Sequence, residues 1–137
     1  MSESKPRKLG RKESRNLDVE IQFLEGLVRR DPSYVEALQL LGDDYTRRGK
    51  IAEGLRVDLQ LKALRPEDPE VMFNLACSLA LSGNLEAAAD EVCRAILAGF
   101  RDFNWLRKES DFAVLRKHLA YGRVRKLMKS ILAETPQ

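Results

Sequence analysis

Pairs of like residues recur in this chain at a spacing of 34, and that period restricts the fold more than any other feature. Pro32 and Pro66 stand 34 apart, and Phe100 takes the next slot. Gly49 pairs with Gly83, Leu41 with Leu75, Leu38 with Met72, and Tyr45 with Leu79. Leu27, Leu61 and Ala95 form a three-member series at the same interval. Self-similarity at 20–50 residues marks stacked supersecondary units that bury one another's apolar faces.

Each part of the period has a physical role. Leu38, Leu41 and Tyr45 fall at i, i+3 and i+7, one face of a helix. Gly42 permits close approach by a neighbour, and Gly49 suits the left-handed conformation that ends a helix. A second apolar series contains Ile51, Leu55, Leu59 and Leu61, and Pro66 stops it. The next copy repeats the plan, with Ala87, Ala88 and Ala89 where two helices pack closely. Helices are expected near 17–30, 35–48, 51–64, 69–82, 85–98 and 121–133.

Within the segment 71–81 only Asn74 and Ser78 are polar. A helix with so little polar face needs cover on more than one side. The preceding copy supplies one flank and the helix 85–98 another. The segment is still too short and interrupted to span a bilayer, which takes about 20 apolar residues.

The pattern resembles the tetratricopeptide repeat family. Leu38, Leu41, Gly42, Tyr45, Gly54, Leu61 and Pro66 carry the likeness in one copy. Met72, Leu75, Ala76, Leu79, Ala88, Val92 and Ala95 carry it in the next. The resemblance implies an all-α fold, a short right-handed superhelix of antiparallel helix pairs with capping helices. Its units are a basic disordered tail at 1–16, a half repeat at 17–34, repeats at 35–68 and 69–102, and an irregular cap at 103–137. Asp58 departs from the pattern, which usually places an aromatic or apolar residue there. The stretch after Phe100 breaks the period but is similar to an irregular ending of many bacterial members. It reads as short turns around Trp105 and Phe112, then a helix with Val124, Leu127, Met128, Ile131 and Leu132 on one stripe. Arg123, Arg125, Lys126 and Lys129 lie largely elsewhere around that helix. Such an atypical end unit covers the apolar face that the last repeat would expose.

By the same resemblance, Glu36, Gln39, Leu40 and Asp43 of one copy and Glu70, Phe73, Asn74 and Cys77 of the next line a concave groove. The implied function is a protein-interaction module or adaptor that binds a peptide or helix of a partner there. Phe73 would be the apolar contact, with Glu36, Asp43 and Glu70 supplying a negative field. A competing reading makes Phe73 core, covered by the irregular end segment. Some family members clamp a chaperone's terminal carboxylate with lysine, arginine and asparagine. Gln39 and Asp43 stand where lysine and asparagine would be needed, so this clamp is not expected.

Charge is unevenly spread along a chain of net charge +3. Residues 1–16 carry six basic and two acidic groups, 17–100 nine and fifteen, and 101–137 nine and four. A second reading follows, a nucleic-acid or anionic-surface binder that uses the basic tail and the last helix. The tail lacks aromatics for stacking and the middle is acidic, so a nucleic-acid partner is not expected. A third arrangement folds the tail onto the acidic groove. No catalytic constellation, cofactor motif or metal-ligand spacing is present in the sequence, so neither enzyme activity nor a metal is expected. His118 is the sole histidine, and adjacent Asp43 and Asp44 diverge around a helix. Cys77 and Cys93 belong to no CxxC pair and read as buried reduced thiols of a cytoplasmic protein. A monomer without a membrane span is expected.

Overall fold

In the computed structural model, which describes residues 8–134, the period is written into the backbone hydrogen bonds. The Lys50 amide donates to the Tyr45 carbonyl, and 34 residues later Asn84 donates to Leu79. Gly49 to Thr46 is matched by Gly83 to Ala80, and Tyr34 to Asp31 by Asp68 to Arg65. The helices repeat with them: α1 spans Arg11–Arg30, α2 Val35–Arg47, α3 Ile51–Leu64, α4 Pro69–Leu81 and α5 Leu85–Leu97. Gly49 and Gly83 adopt φ of +85° and +82°, the left-handed turn that a side chain would strain.

After α5 come α6 (Phe103–Lys108), two single 3₁₀ turns at Ser110–Phe112 and Leu115–Lys117, and α7 (Tyr121–Glu134). The described residues are all-helical, without strands. Each of α1 to α5 packs on its neighbour in sequence, because connections this short return the chain alongside itself. Helix α7 packs on α5. No described helix is long and apolar enough to cross a membrane.

Local chemistry sets several ends. Asp68 caps α4 by accepting from the amides of Glu70 and Val71, with Pro69 in the first turn. Asp102 accepts from the Trp105 amide and starts α6. The start of α1 corrects the sequence reading, which placed residues 1–16 in a disordered tail. Residues 11–16 are helical, and the Glu13 carboxylate reaches back 3.0 Å to accept from the Gly10 amide. Residues 1–7 of that tail lie outside the described residues. Downstream, Leu17, Ile21 and Leu24 form the buried stripe of α1.

Two apolar clusters meet at α4. The first gathers Ile21 and Leu24 of α1, Leu38, Leu41 and Tyr45 of α2, Val57 and Leu61 of α3, and Val71 of α4. The second begins at Met72 and takes in Phe73, Ala76, Ala88, Val92, Ile96, Leu106, Phe112, Leu115, Tyr121, Val124 and Met128. Side chains on opposite sides of α4 thus serve different clusters, which explains its nearly unbroken apolar sequence. Each large side chain withdrawn from water contributes about 1.5–3 kcal/mol. On α7, Val124 and Met128 are buried and Leu127 and Ile131 half-buried, as the expected stripe requires, but Leu132 is exposed.

Buried ions tie the helices laterally. Glu91 on α5 is buried and pairs with Lys62 of α3 at 2.5 Å and with Arg94 at 2.9 Å. The Tyr45 hydroxyl donates to Glu25 of α1. Asp58, the departure from the repeat pattern, is buried and accepts from the Ser78 hydroxyl at 2.5 Å. A Cβ on residue 42 would lie 3.3 Å from an Asp58 carboxylate oxygen, so Gly42 makes room for it.

Candidate functional site

Helices α2 and α4 diverge from the irregular segment over a cavity of about 630 Å³. Five of the eight expected groove residues line it: Asp43 from α2, and Glu70, Phe73, Asn74 and Cys77 from α4. Glu36, Gln39 and Leu40 do not; they are exposed on α2, outside the lining. Asp58 and Ser78 add to the inner wall. The far wall comes from Phe100, Asp102, Trp105, Glu109 and Asp111, which the repeat pattern did not assign to the groove.

Phe73 corrects an expectation. It is 6% exposed, stacked on Phe100 with ring centroids 4.6 Å apart and edge-on to Phe112 at 5.4 Å. Its ring is core that forms part of the cavity floor, not a free contact for a partner. The half-buried Trp105 and Phe100 are the aromatic surface left at the wall.

Six carboxylates face one guanidinium, that of Arg47, around this cavity. Burial is the first cause of the shifts of Asp58, Asp43 and Asp111. It pushes Asp58 up to about 6, opposed by the Ser78 hydrogen bond and assisted by the charge of Asp43. It raises Asp43 as well, with Arg47 opposing. Asp111 is pushed up to about 6 by burial and by Glu109, with Cys77 opposing. The Cys77 thiol is driven well above its ordinary range by burial, then by Glu109, Asp111 and Asp58. A thiol held protonated in this way is a poor nucleophile.

The ligand atoms of Cys77, Glu109 and Asp111 all lie within 4.8 Å of one another, so these three residue types could hold a metal ion. The sequence reading expected no metal because Cys77 and Cys93 form no CxxC pair; this grouping has no sequence spacing to announce it, since Cys77 lies on α4 and its two neighbours on the irregular segment. Cys93, also unpaired, is half-buried on α5. His118 caps its own turn: its Nδ1 accepts from the Ala120 amide at 3.0 Å.

The geometry defines an acid-rich cleft between helices α2 and α4 and the irregular end segment. Against models of known families, curated proteins and solved structures, the chain shows no match.

Proposed function

We propose that this chain is a tetratricopeptide-like interaction module, a short right-handed stack of helix pairs that takes a lysine- or arginine-bearing segment of a partner protein in its acidic cavity. The role is binding, with no reaction of its own. The observation that carries the reading is the excess of carboxylate around the cavity, six acids to one base, beside the indole of Trp105. A cation there gains Coulomb attraction and the face of an aromatic ring. Trp105 and Phe100 take over the apolar contact expected of Phe73.

The test is titration of a labelled arginine-rich peptide by fluorescence anisotropy. Affinity is expected near micromolar, about −8 kcal/mol, and should weaken with added salt as exposed carboxylates are screened. Glu70→Lys should weaken binding about tenfold with melting unchanged, and Trp105→Ala about tenfold with a lowered melting temperature, because its half-buried ring also packs on the second cluster; an aromatic anchor or a charge facing a cation is worth about 1–2 kcal/mol. Glu36→Lys, on α2 but outside the cavity lining, is the control. Equal weakening by Glu36→Lys would reduce the effect to net charge and sink the reading.

A further inference from the structure

A second hollow, about 310 Å³, opens between the end of α6 and helix α7, and its electrostatics are the reverse of the first. Four cations line it: Arg107 of α6, Arg116 of the second 3₁₀ turn, and Arg125 and Lys129 of α7. No carboxylate is among its lining residues. None of the four forms an ion pair among the described residues, whereas Arg48, Lys62, Arg94 and Arg123 all do. Two of them are held in place by neutral groups. Arg116 donates to the Leu106 carbonyl at 3.3 Å. Arg125 donates to the Arg116 carbonyl at 2.6 Å, and its guanidinium lies 4.8 Å over the ring of Tyr121.

Tyr121 supplies an independent observation. It lines the same hollow and is 2% exposed, and its buried O–H finds no acceptor among the described residues. A buried hydroxyl left unsatisfied costs about 1–3 kcal/mol. Burial raises its pKa; the charges of Arg116, Arg125 and Arg107, and the Arg116 guanidinium as a hydrogen-bond donor to the phenol oxygen, oppose that rise, so all three guanidinium groups are felt at this ring. An unused O–H donor among unneutralised guanidinium groups lacks one thing, an anionic acceptor.

We infer that this hollow is a binding site for a phosphate monoester, with Arg107, Arg116, Arg125 and Lys129 neutralising the dianion and the Tyr121 hydroxyl donating to one of its oxygens. Guanidinium forks match tetrahedral oxyanions better than they match halide ions. The volume exceeds a bare phosphate, and Met128 and Leu132 offer an apolar wall for the organic part of the ester. The ester is either a soluble metabolite or a lipid headgroup, which share this chemistry.

The full chain would be titrated with glycerol phosphate by calorimetry at fixed ionic strength. One saturable site is expected. Arg107→Gln, Arg125→Gln and Tyr121→Phe should each weaken it at least about tenfold, as lost hydrogen bonds to a charged group predict. Tyr121→Phe should leave the melting temperature at or above that of wild type, because it removes an unsatisfied group. Lys126→Gln removes a charge from the same helix outside the hollow and should leave affinity unchanged. Absence of saturable binding, or equal weakening by Lys126→Gln, overturns the site. Vesicles of phosphatidylcholine with phosphatidic acid then separate the sources. Retention that excess glycerol phosphate abolishes assigns a lipid headgroup to the site. No retention, beside saturable glycerol phosphate binding, assigns a soluble ester. Retention that survives both the competitor and Arg125→Gln overturns the assignment.

Discussion

The two apolar clusters are built by different rules. The cluster of α1, α2 and α3 is made of residues that recur at fixed intervals, and it has no member completely withdrawn from solvent; Leu38 comes nearest at 1%. The cluster of α4, α5 and the irregular segment contains Ala76, Ala88, Val92, Ile96, Leu106, Phe112, Leu115 and Val124, all at 0%. Repetition allows a core to form from neighbours alone, but its end helix keeps one side open. On α1 that open side carries Val19 and Phe23, 66% and 62% exposed. Irregular sequence closes the other end more completely, using aromatic groups placed to fit a particular surface.

The largest expected effect would break this comparison. Phe112→Ala removes a fully buried ring from the closed cluster and should cost about 3–5 kcal/mol in denaturant unfolding. If the clusters are separable, amide exchange should accelerate in α5 and α7 well before α2 and α3. Uniform acceleration would make them one cooperative unit.

A smaller effect sharpens the account of the repeat-built cluster, where Asp44 is buried with its Oδ2 unpartnered. Its carboxyl is pushed from 3.8 to about 7, first by burial, then by its hydrogen bond to Glu20 and that group's charge; Arg47 opposes and Asp43 adds. The folded state therefore keeps a proton that the unfolded chain releases. Its contribution is intact below about pH 4, falls as pH rises through the window up to about 7, and is level above that. Asp44→Asn should match wild type at pH 4 and exceed it by about 1–2 kcal/mol at pH 8. A pH series of chemical melts checks the sign.

The smallest effect tests the equivalence of the copies. Gly49→Ala and Gly83→Ala should each cost about 1 kcal/mol, since a Cβ in the left-handed region is strained by that amount. Equal losses, within about 0.5 kcal/mol on paired thermal melts, would mean that the two turns are energetically the same device. A clear inequality would mean that the neighbouring irregular segment shares the load at Gly83.

The helices from 35 to 98 were legible because glycine, proline and apolar spacing act over a single turn of chain. The first turns of α1 were not, because "RKESRN" has the composition of a solvated arm. The signal overlooked was Glu13 three residues after Gly10, with Leu17 anchoring the next turn. The inner wall of the cavity followed from the repeat, through Asp43, Glu70, Asn74 and Cys77. Its far wall did not, since Asp102, Trp105, Glu109 and Asp111 sit beyond the last copy, and only tertiary folding brings them back. Phe73 fell to the competing reading for the same reason: Phe100 and Phe112 cover it. The basic hollow draws one residue each from α6 and the second 3₁₀ turn, so the charge pattern of α7 alone could not disclose it.

The division of α4 between two clusters also fixes an order of events during synthesis. Every residue of the first cluster has been added once Val71 is joined to the chain. The second opens at Met72 and is complete only at Met128. Over that interval the nascent chain carries the apolar side of α4, with Phe73 and Ala76, and then that of α5, with Val92 and Ile96, before α7 exists to cover them. A chain released after about residue 98 would therefore present a folded front and a bare hydrophobic back, the form of this chain most prone to aggregate and most attractive to a chaperone.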